Sequence, residues 1–312
     1  MSMDIRIGTL VRSGMASAEY IRQILPHGFE SFSLMFWKTA EGTDWDRLAD
    51  EVGEALQGSD AVISSIGIYG NPMESDDEAI NVRKDWETCI DNAGKFGCSI
   101  VEGFTGRIRG KSIDENLDPF VSTWAPLTKR AEDAGVKIAF EICAMGGTWA
   151  TGDWNIAHDP AAWEMMFNAI PSSNLGLAWE PAHQVMRLID PIPQIQKWSD
   201  RIFTIHGKDA NIDWDAIRKN GAYTVVSPEI AEKCNTHPVP KFSMQRFPGF
   251  GDTDWKQVFT ELRLAGYRGS IDIEGWHDRT FKKDDLEMTG QVAALNYLKS
   301  CRGGEYVPNP VA

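Results

Sequence analysis

Short, near-continuous apolar runs alternate along the whole chain with longer stretches in which apolar residues recur at helical spacing. The runs predict strands at Ile5–Val11, Phe29–Trp37, Ala61–Tyr69, Ser99–Phe104, Lys137–Ile142, Leu175–Trp179, Ile202–His206 and Ser270–Glu274. Their cores show little polar alternation, which is the pattern of parallel strands covered on both faces. Between them, helices are predicted at Asp44–Leu56, Asp76–Phe96, Asp114–Ala134, Ala161–Ile170, Pro191–Trp198, Trp255–Ala265 and Leu286–Leu298. Local punctuation supports these ends. Thr43 and Asp254 stand where N-caps belong, Asp159-Pro160 gives the cap-then-proline order, and Gly135 and Gly266 follow helices as C-caps do.

Eight βα units in one chain predict an α/β fold of the (β/α)8 TIM barrel type, a single domain over residues 1–312. A doubly wound open sheet is the alternative. It would place a glycine-rich phosphate turn after the first strand, where this chain reads Val11-Arg12-Ser13-Gly14 and lacks GxGxxG spacing. One connection is unusually long. Asn211 to Gly251 separates the seventh strand from its helix and carries Pro228, Pro238, Pro240 and Pro248. Connections of that length are functional or partly structured, and in a barrel this one belongs on the active-site face.

Composition narrows the chemistry. The formal charge is −14, a surface that repels phosphate backbones and anionic lipid, so neither nucleic acid nor membrane is an expected partner. The five cysteines, Cys89, Cys98, Cys143, Cys234 and Cys301, are odd in number, far apart and without a CxxC, and read as free thiols of a reducing cytoplasm. No apolar run reaches membrane-spanning length, and the first residues enter a strand pattern without a signal-peptide profile. A cytoplasmic protein is expected. Most of the twelve tryptophans are expected to fill the core, with a minority available as a wall for sugar faces.

The chemistry lies at the strand ends. The fifth strand ends at Glu141, the sixth at Glu180 followed by His183, the seventh at His206-Gly207-Lys208-Asp209, and the eighth at Glu274 followed by Trp276-His277. Any one of these taken alone reads as an ion-pair partner or a satisfied rim histidine. A barrel brings all four strand ends together, however, and several carboxylates that leave water need a common partner. One divalent cation on Glu141, Glu180, His206 and Glu274 supplies it. A mostly oxygen shell suits Mn²⁺ first, or Mg²⁺ or Co²⁺, rather than structural Zn²⁺. Further rim candidates for contacting substrate are Lys208, whose other role would be a salt bridge with Asp209, and Glu102, whose other role would be pairing with Arg107. Arg246 in the long connection, and Trp37 and Tyr69 at the ends of the second and third strands, complete the set. Met145-Gly146-Gly147 gives a flexible lip.

Glu141, the ExxxH of Glu180 and His183, the HxKD of His206–Asp209 and the IE at Glu274 resemble the sugar phosphate isomerase/epimerase superfamily, the xylose isomerase-like TIM barrels, from Ile5 to about Leu298. The resemblance implies that Glu141, Glu180, His206 and Glu274 are metal ligands. It implies that Glu141 and Glu274 face each other across the sugar as acid and base, and that His183 binds a substrate oxygen. The family usually has Asp where this chain has Glu180, and the extra methylene moves that carboxylate inward or changes its denticity.

The expected activity is a divalent-metal-dependent sugar or keto-sugar isomerase or epimerase working by proton abstraction next to a carbonyl. The alternative is a lyase that expels the aglycone of a 3-keto-glycoside, or water from a keto-sugar, with His277 or Lys208 as proton donor. A sugar or keto-glycoside is the expected small-molecule partner, and a homo-oligomer or a small accessory subunit is compatible with the pattern. An abasic-site endonuclease, which needs a His-rich multi-metal site and a basic groove, is disfavoured by the acidity and the six histidines. A non-catalytic sugar-binding barrel is disfavoured by the intact ligand set.

Overall fold

The computed structural model describes residues 5–14, 16–222, 242–282, 286–304 and 310. Eight parallel strands close into a barrel: β1 (Arg6–Arg12), β2 (Ser31–Trp37), β3 (Val62–Tyr69), β4 (Ile100–Gly103), β5 (Lys137–Glu141), β6 (Leu175–Trp179), β7 (Ile202–Gly207) and, after two short strands outside the barrel, β10 (Ser270–Ile273). Each pairs with its neighbour in sequence, and β10 closes the circle between β7 and β1. The apolar runs form strands because both faces are covered: every residue of β6 and of β7 is buried.

The helices lie where the periodicity puts them, at Trp45–Leu56, Asp77–Asn92, Leu117–Ala134, Pro160–Ala169, Ile192–Lys197, Trp255–Leu264 and Glu287–Arg302. Four of these helices have first turns capped by aspartates. Asp44 rather than Thr43 caps the first of these, accepting from Arg47 N at 3.2 Å. Asp76, Asp159 and Asp254 do the same for their own helices. A cap of this kind contributes about 1 kcal/mol. Asp114–Asn116 is a 3₁₀ turn that leads into the helix Leu117–Ala134, and Gly135 ends that helix with φ of 67°. A helix at Ser17–Ile24 also links β1 to β2.

Five tryptophans, Trp86, Trp124, Trp163, Trp179 and Trp255, are fully buried between barrel and helices. Trp124 packs edge-on against Phe140 of β5 with centroids 4.6 Å apart. Burial of such side chains contributes about 1.5–3 kcal/mol each or more. Among the described cysteines, Cys89, Cys98, Cys143 and Cys301 are free; Cys234 lies outside the described residues.

The long connection carries its own structure. β8 (Asp209–Ile212) and β9 (Ser243–Arg246) pair antiparallel outside the barrel, and a helix follows β8 at Trp214–Asn220. Residues 223–241, with Pro228, Pro238 and Pro240, lie outside the described residues. Asp209 ties the segment down. It accepts from Thr253 N and Trp255 Nε1, each at 3.1 Å, and from Gly249 N at 3.3 Å. Phe247 then seats against Gly275, where an added Cβ would come within 1.6 Å of the ring, so only glycine lets the connection close on the end of β10.

Candidate active site

Glu141 is the last residue of β5, His206 lies in β7, and Glu274 follows β10 directly. Parallel register brings them to one end of the barrel. Donor atoms of these three side chains lie within 4.8 Å of one another, and all three are buried. Glu180 follows β6, stands at the N-terminal end of the helix Pro181–Met186 without capping it through its side chain, and is fully buried, but it is outside that grouping among the described residues. Instead its Oε1 is 3.1 Å from His183 Nε2 and its Oε2 is 4.0 Å from Lys208 Nζ.

Lys208 sits inside the cluster. Its ammonium donates to Glu274 Oε1 at 2.7 Å and lies 3.4 Å from His183 Nε2. Asp209, expected as its salt-bridge partner, is occupied by the connection to Trp255. His277 reaches the same carboxylate, with Nε2 3.2 Å from Glu274 Oε1 while accepting from Trp276 Nε1 at 2.9 Å.

Electrostatics separate the carboxylates. Burial, reinforced by the charge of Glu274, drives Glu141 well above the usual carboxylate range. Burial likewise pushes Glu180 up to about 7. Burial acts on Glu274 in the same direction, but the Lys208 charge, aided by the nearby His206 and His277 rings, outweighs it and holds the group well below its ordinary value. On His206, burial disfavours the imidazolium, but Glu102 and Glu274 outweigh it and raise that group. On His183, burial and the Lys208 charge both act downward. Carboxylates driven in opposite directions within one site are the pattern of acid–base pairs.

Buried atoms without partners test whether a cation fits. Both carboxylate oxygens of Glu180, Oε2 of Glu274 and Nδ1 of His206 are buried and accept or donate no hydrogen bond. A buried carboxylate oxygen left so is costly unless a positive partner stands near it. Ionised together, the three carboxylates carry more negative charge than the ammonium of Lys208 balances, and in the absence of an ion burial answers by driving Glu141 and Glu180 upward. The donor set, oxygen-rich with one nitrogen, suits a hard or borderline divalent cation. The residues present therefore fit such an ion.

The other expected substrate contacts divide. His183, Lys208, Trp37 and Tyr69 line a cavity of about 1690 Å³ together with Glu141 and Glu274. Met145, Gly146 and Gly147 form part of its wall, and Met145 has a φ of 47°. Arg246 and Glu102 do not line it. The Arg246 guanidinium is held by Asp278 at 3.0 Å and Asn211 at 2.8 Å. Glu102 is buried beneath the site, bound by Ser33, Ser65 and His206, and Arg107 spends its donors on the carbonyls of Lys111, Thr148 and Trp149.

One feature had no counterpart in the sequence, and a second was foreseen only in Trp37 and Tyr69. Cys143 lies with Glu141 and His183 in a second grouping of donor atoms within 4.8 Å. The cavity also has an apolar wall of its own, a cluster separate from the main core that includes Met35, Tyr69, Phe104, Trp154 and Trp276. Trp37 stands beside it, 51% exposed and stacked on Trp154 with centroids 6.3 Å apart. Trp154 falls in a loop whose placement no periodicity encodes, and Phe104, expected to end the fourth strand, lies just past it. Ser33 and Ser65, beneath Glu102, did leave a signal, because each is one of two serines that interrupt an apolar strand, and the two pair in register.

The description of one family, the xylose isomerase-like TIM barrel, matches residues 21–301. YfiH of Bacillus subtilis (strain 168), an uncharacterised protein, is 23% identical over 297 residues, covering 85% of this chain and 87% of that one. Among solved structures, a xylose isomerase domain protein from Planctomyces limnophilus superposes with a TM-score of 0.70 at 15% identity, over 96% of this chain and 98% of the other. The 3-keto-D-glucoside 4-epimerase YcjR from E. coli gives 0.67 at 15% identity, over 95% and 100%. A D-psicose 3-epimerase with D-fructose gives 0.66 at 14%, over 96% and 100%. At these identities the likeness establishes the barrel fold.

Proposed function

The chain belongs to the xylose isomerase-like TIM barrel family, and from that premise we propose that it is a divalent-metal-dependent sugar or keto-sugar isomerase or epimerase. The observation that carries the reading is the convergence of Glu141, His206 and Glu274 within 4.8 Å around buried atoms that lack partners. Glu141, His206 and Glu274, with Glu180 beside them, would hold the cation, Mn²⁺ in the first instance. When bound, such an ion acts as a Lewis acid on a carbonyl and makes the neighbouring C–H acidic.

The protein's own groups do the rest. One of Glu141 and Glu274 removes the proton beside the carbonyl, leaving an enediolate. Return of a proton to the opposite face of the same carbon gives the epimer, and return to the adjacent carbon gives the isomer. His183 and Lys208, both on the cavity wall, hold substrate oxygen. The described parts of the Asn211–Gly251 connection, 211–222 and 242–251, serve as a cover at the cavity, a role supported by Ala222, Phe242 and Gln245 in its lining. Chelator treatment should abolish turnover and Mn²⁺ should restore it. Full activity in protein shown to be metal-free by elemental analysis would refute the reading.

The apolar wall favours a second reading. Ligand cavities commonly measure about 300–1,000 Å³, and this one, at about 1690 Å³, has room for more than one sugar ring. A 3-keto-glycoside would place its sugar at the carboxylates and its aglycone on Trp37 and Trp154. Proton removal next to the carbonyl, followed by cleavage of the C–O bond to the aglycone, gives an unsaturated ketone, and the departing oxygen takes a proton from His277 or Lys208. Trp37→Ala should then raise KM for an aryl 3-keto-glycoside and leave KM for a keto-monosaccharide unchanged. Equal effects on both would remove this reading. A small accessory subunit or a second copy at the cavity mouth is compatible with either activity.

A further inference from the structure

We propose that Glu102 is a positioning residue that fixes the tautomer of His206 and so presents Nδ1, rather than Nε2, as the site's nitrogen donor. The inference rests on the metal-site reading above. It begins with register. Glu102 pairs with Gly67 of β3 and Ala139 of β5, two small residues that leave room for a carboxylate inside the barrel. Ala139 lies two residues before Glu141, so Glu102 sits one layer beneath the strand ends. From there it reaches His206 and not the cavity.

Glu102 is fully buried, and its contacts are those of an ionised carboxylate. Oε1 accepts from Ser33 Oγ at 2.6 Å and lies 2.9 Å from Ser65 Oγ. Oε2 lies 3.2 Å from His206 Nε2. An ionised carboxylate only accepts hydrogen bonds, so Nε2 carries the hydrogen. The other ring nitrogen, Nδ1, has no hydrogen-bond partner and stands 3.4 Å from Glu274 Oε2, which also has none. In the metal-loaded protein a cation, and in its absence a ring hydrogen on Nδ1, keeps these two buried atoms from repelling. The same ring therefore gives Nε2–H to Glu102 and turns its free lone pair toward the candidate ion. A histidine ligand whose other N–H is held by a carboxylate is a general device of metal sites, and losing the outer partner costs about 10–100-fold in metal affinity.

The test is Glu102→Gln in the full-length protein. The amide keeps the shape and an oxygen for the two serines, but its NH₂ faces Nε2 as a donor and drives the ring hydrogen to Nδ1. Free Mn²⁺ measured by electron paramagnetic resonance should show Kd about 10–100-fold weaker than wild type, with the metal-free melting temperature close to wild type. Nitrogen NMR of ¹⁵N-histidine in the Mg²⁺-saturated wild-type protein should place the His206 hydrogen on Nε2, a readout that a merely structural role for Glu102 does not fix. If Glu102→Gln fails to fold, the double variant Ser33→Ala with Ser65→Ala, which frees Oε1 only, should weaken Mn²⁺ binding in the same direction by less. Wild-type affinity in the folded variant, or a His206 hydrogen on Nδ1, overturns the proposal. Wild-type protein that binds no Mn²⁺ overturns the metal-site reading instead, so the two failures are distinguishable.

Discussion

Replacing Lys208 with methionine tests whether the site carries more negative charge than its own side chains balance. Lys208 is buried, donates to Glu274 Oε1 at 2.7 Å and stands 4.0 Å from Glu180 Oε2. Methionine keeps the volume of the stem and deletes the charge. Removing one partner of a buried pair costs about 3–5 kcal/mol, because the other is left uncompensated. For a domain of this size about 1 kcal/mol corresponds to roughly 2 °C, so metal-free Lys208→Met should melt about 6–10 °C below wild type. With saturating Mn²⁺ the loss should be smaller, since the cation takes over the charge of Glu180 and Glu274. Linkage then requires the variant to bind Mn²⁺ more tightly. A difference of about 2 kcal/mol between the two melting losses would appear as roughly 30-fold in Kd. Thermal unfolding followed by circular dichroism, with and without metal, together with a Mn²⁺ titration, measures all three quantities. An equal melting loss in both states, or Mn²⁺ affinity lowered by the substitution, would refute the reasoning.

Two further outcomes are expected. Glu141→Gln and Glu274→Gln should each fold and lose turnover by about 10²–10⁴-fold, the usual worth of a general acid or base; steady-state rates with the Mn²⁺-loaded variants check this. Away from the site, Glu30 joins the first and last parts of the barrel by accepting from both Nη atoms of Arg302, at 2.6 and 2.9 Å, and from Ile7 N at 2.9 Å. Burial raises the Glu30 carboxyl, but the Arg302 hydrogen bonds outweigh it and leave the group below its ordinary value. A carboxyl depressed in the folded state stabilises above its unfolded pKa, near 4.3, and that stability is lost as pH falls through the lower folded value. Glu30→Gln should therefore cost about 1.5–3 kcal/mol at neutral pH, and its melting curve should approach the wild-type curve below about pH 4.

The barrel was legible because its strands are apolar on both faces and four of its helices open on capping aspartates, so period and punctuation agree. The helix Ser17–Ile24 escaped notice because Ala16 caps it without a side-chain hydrogen bond, leaving no local start signal. β8, β9 and the helix Trp214–Asn220 were hidden by a connection whose prolines spoke louder than its short periodic pieces. Glu141, His206 and Glu274 could be read as a group because each ends a strand, and parallel register converts that position into proximity. Glu102 was misjudged by one layer. It lies one residue short of the end of β4, so its side chain works beneath the rim rather than in the cavity. Arg246 looked free in sequence because its anchor, Asp278, arrives from after β10. The aromatic wall was legible only in Trp37 and Tyr69 at their strand ends, since Trp154 and Phe104 meet Trp37 only once separate segments have come together at the barrel mouth.

The central claim is that the carboxylates at the strand ends move a proton on a carbon next to a carbonyl. A panel of ketoses, keto-sugars and 3-keto-glycosides incubated in D₂O with the Mn²⁺-loaded wild-type protein tests it most directly, with mass spectrometry and NMR locating the label. The account predicts solvent deuterium at the carbon beside the carbonyl of a turned-over substrate, dependent on the metal and absent in whichever of Glu141→Gln and Glu274→Gln lacks the base. Turnover that leaves that carbon unlabelled, or labelling at the wild-type rate in both variants, would contradict it.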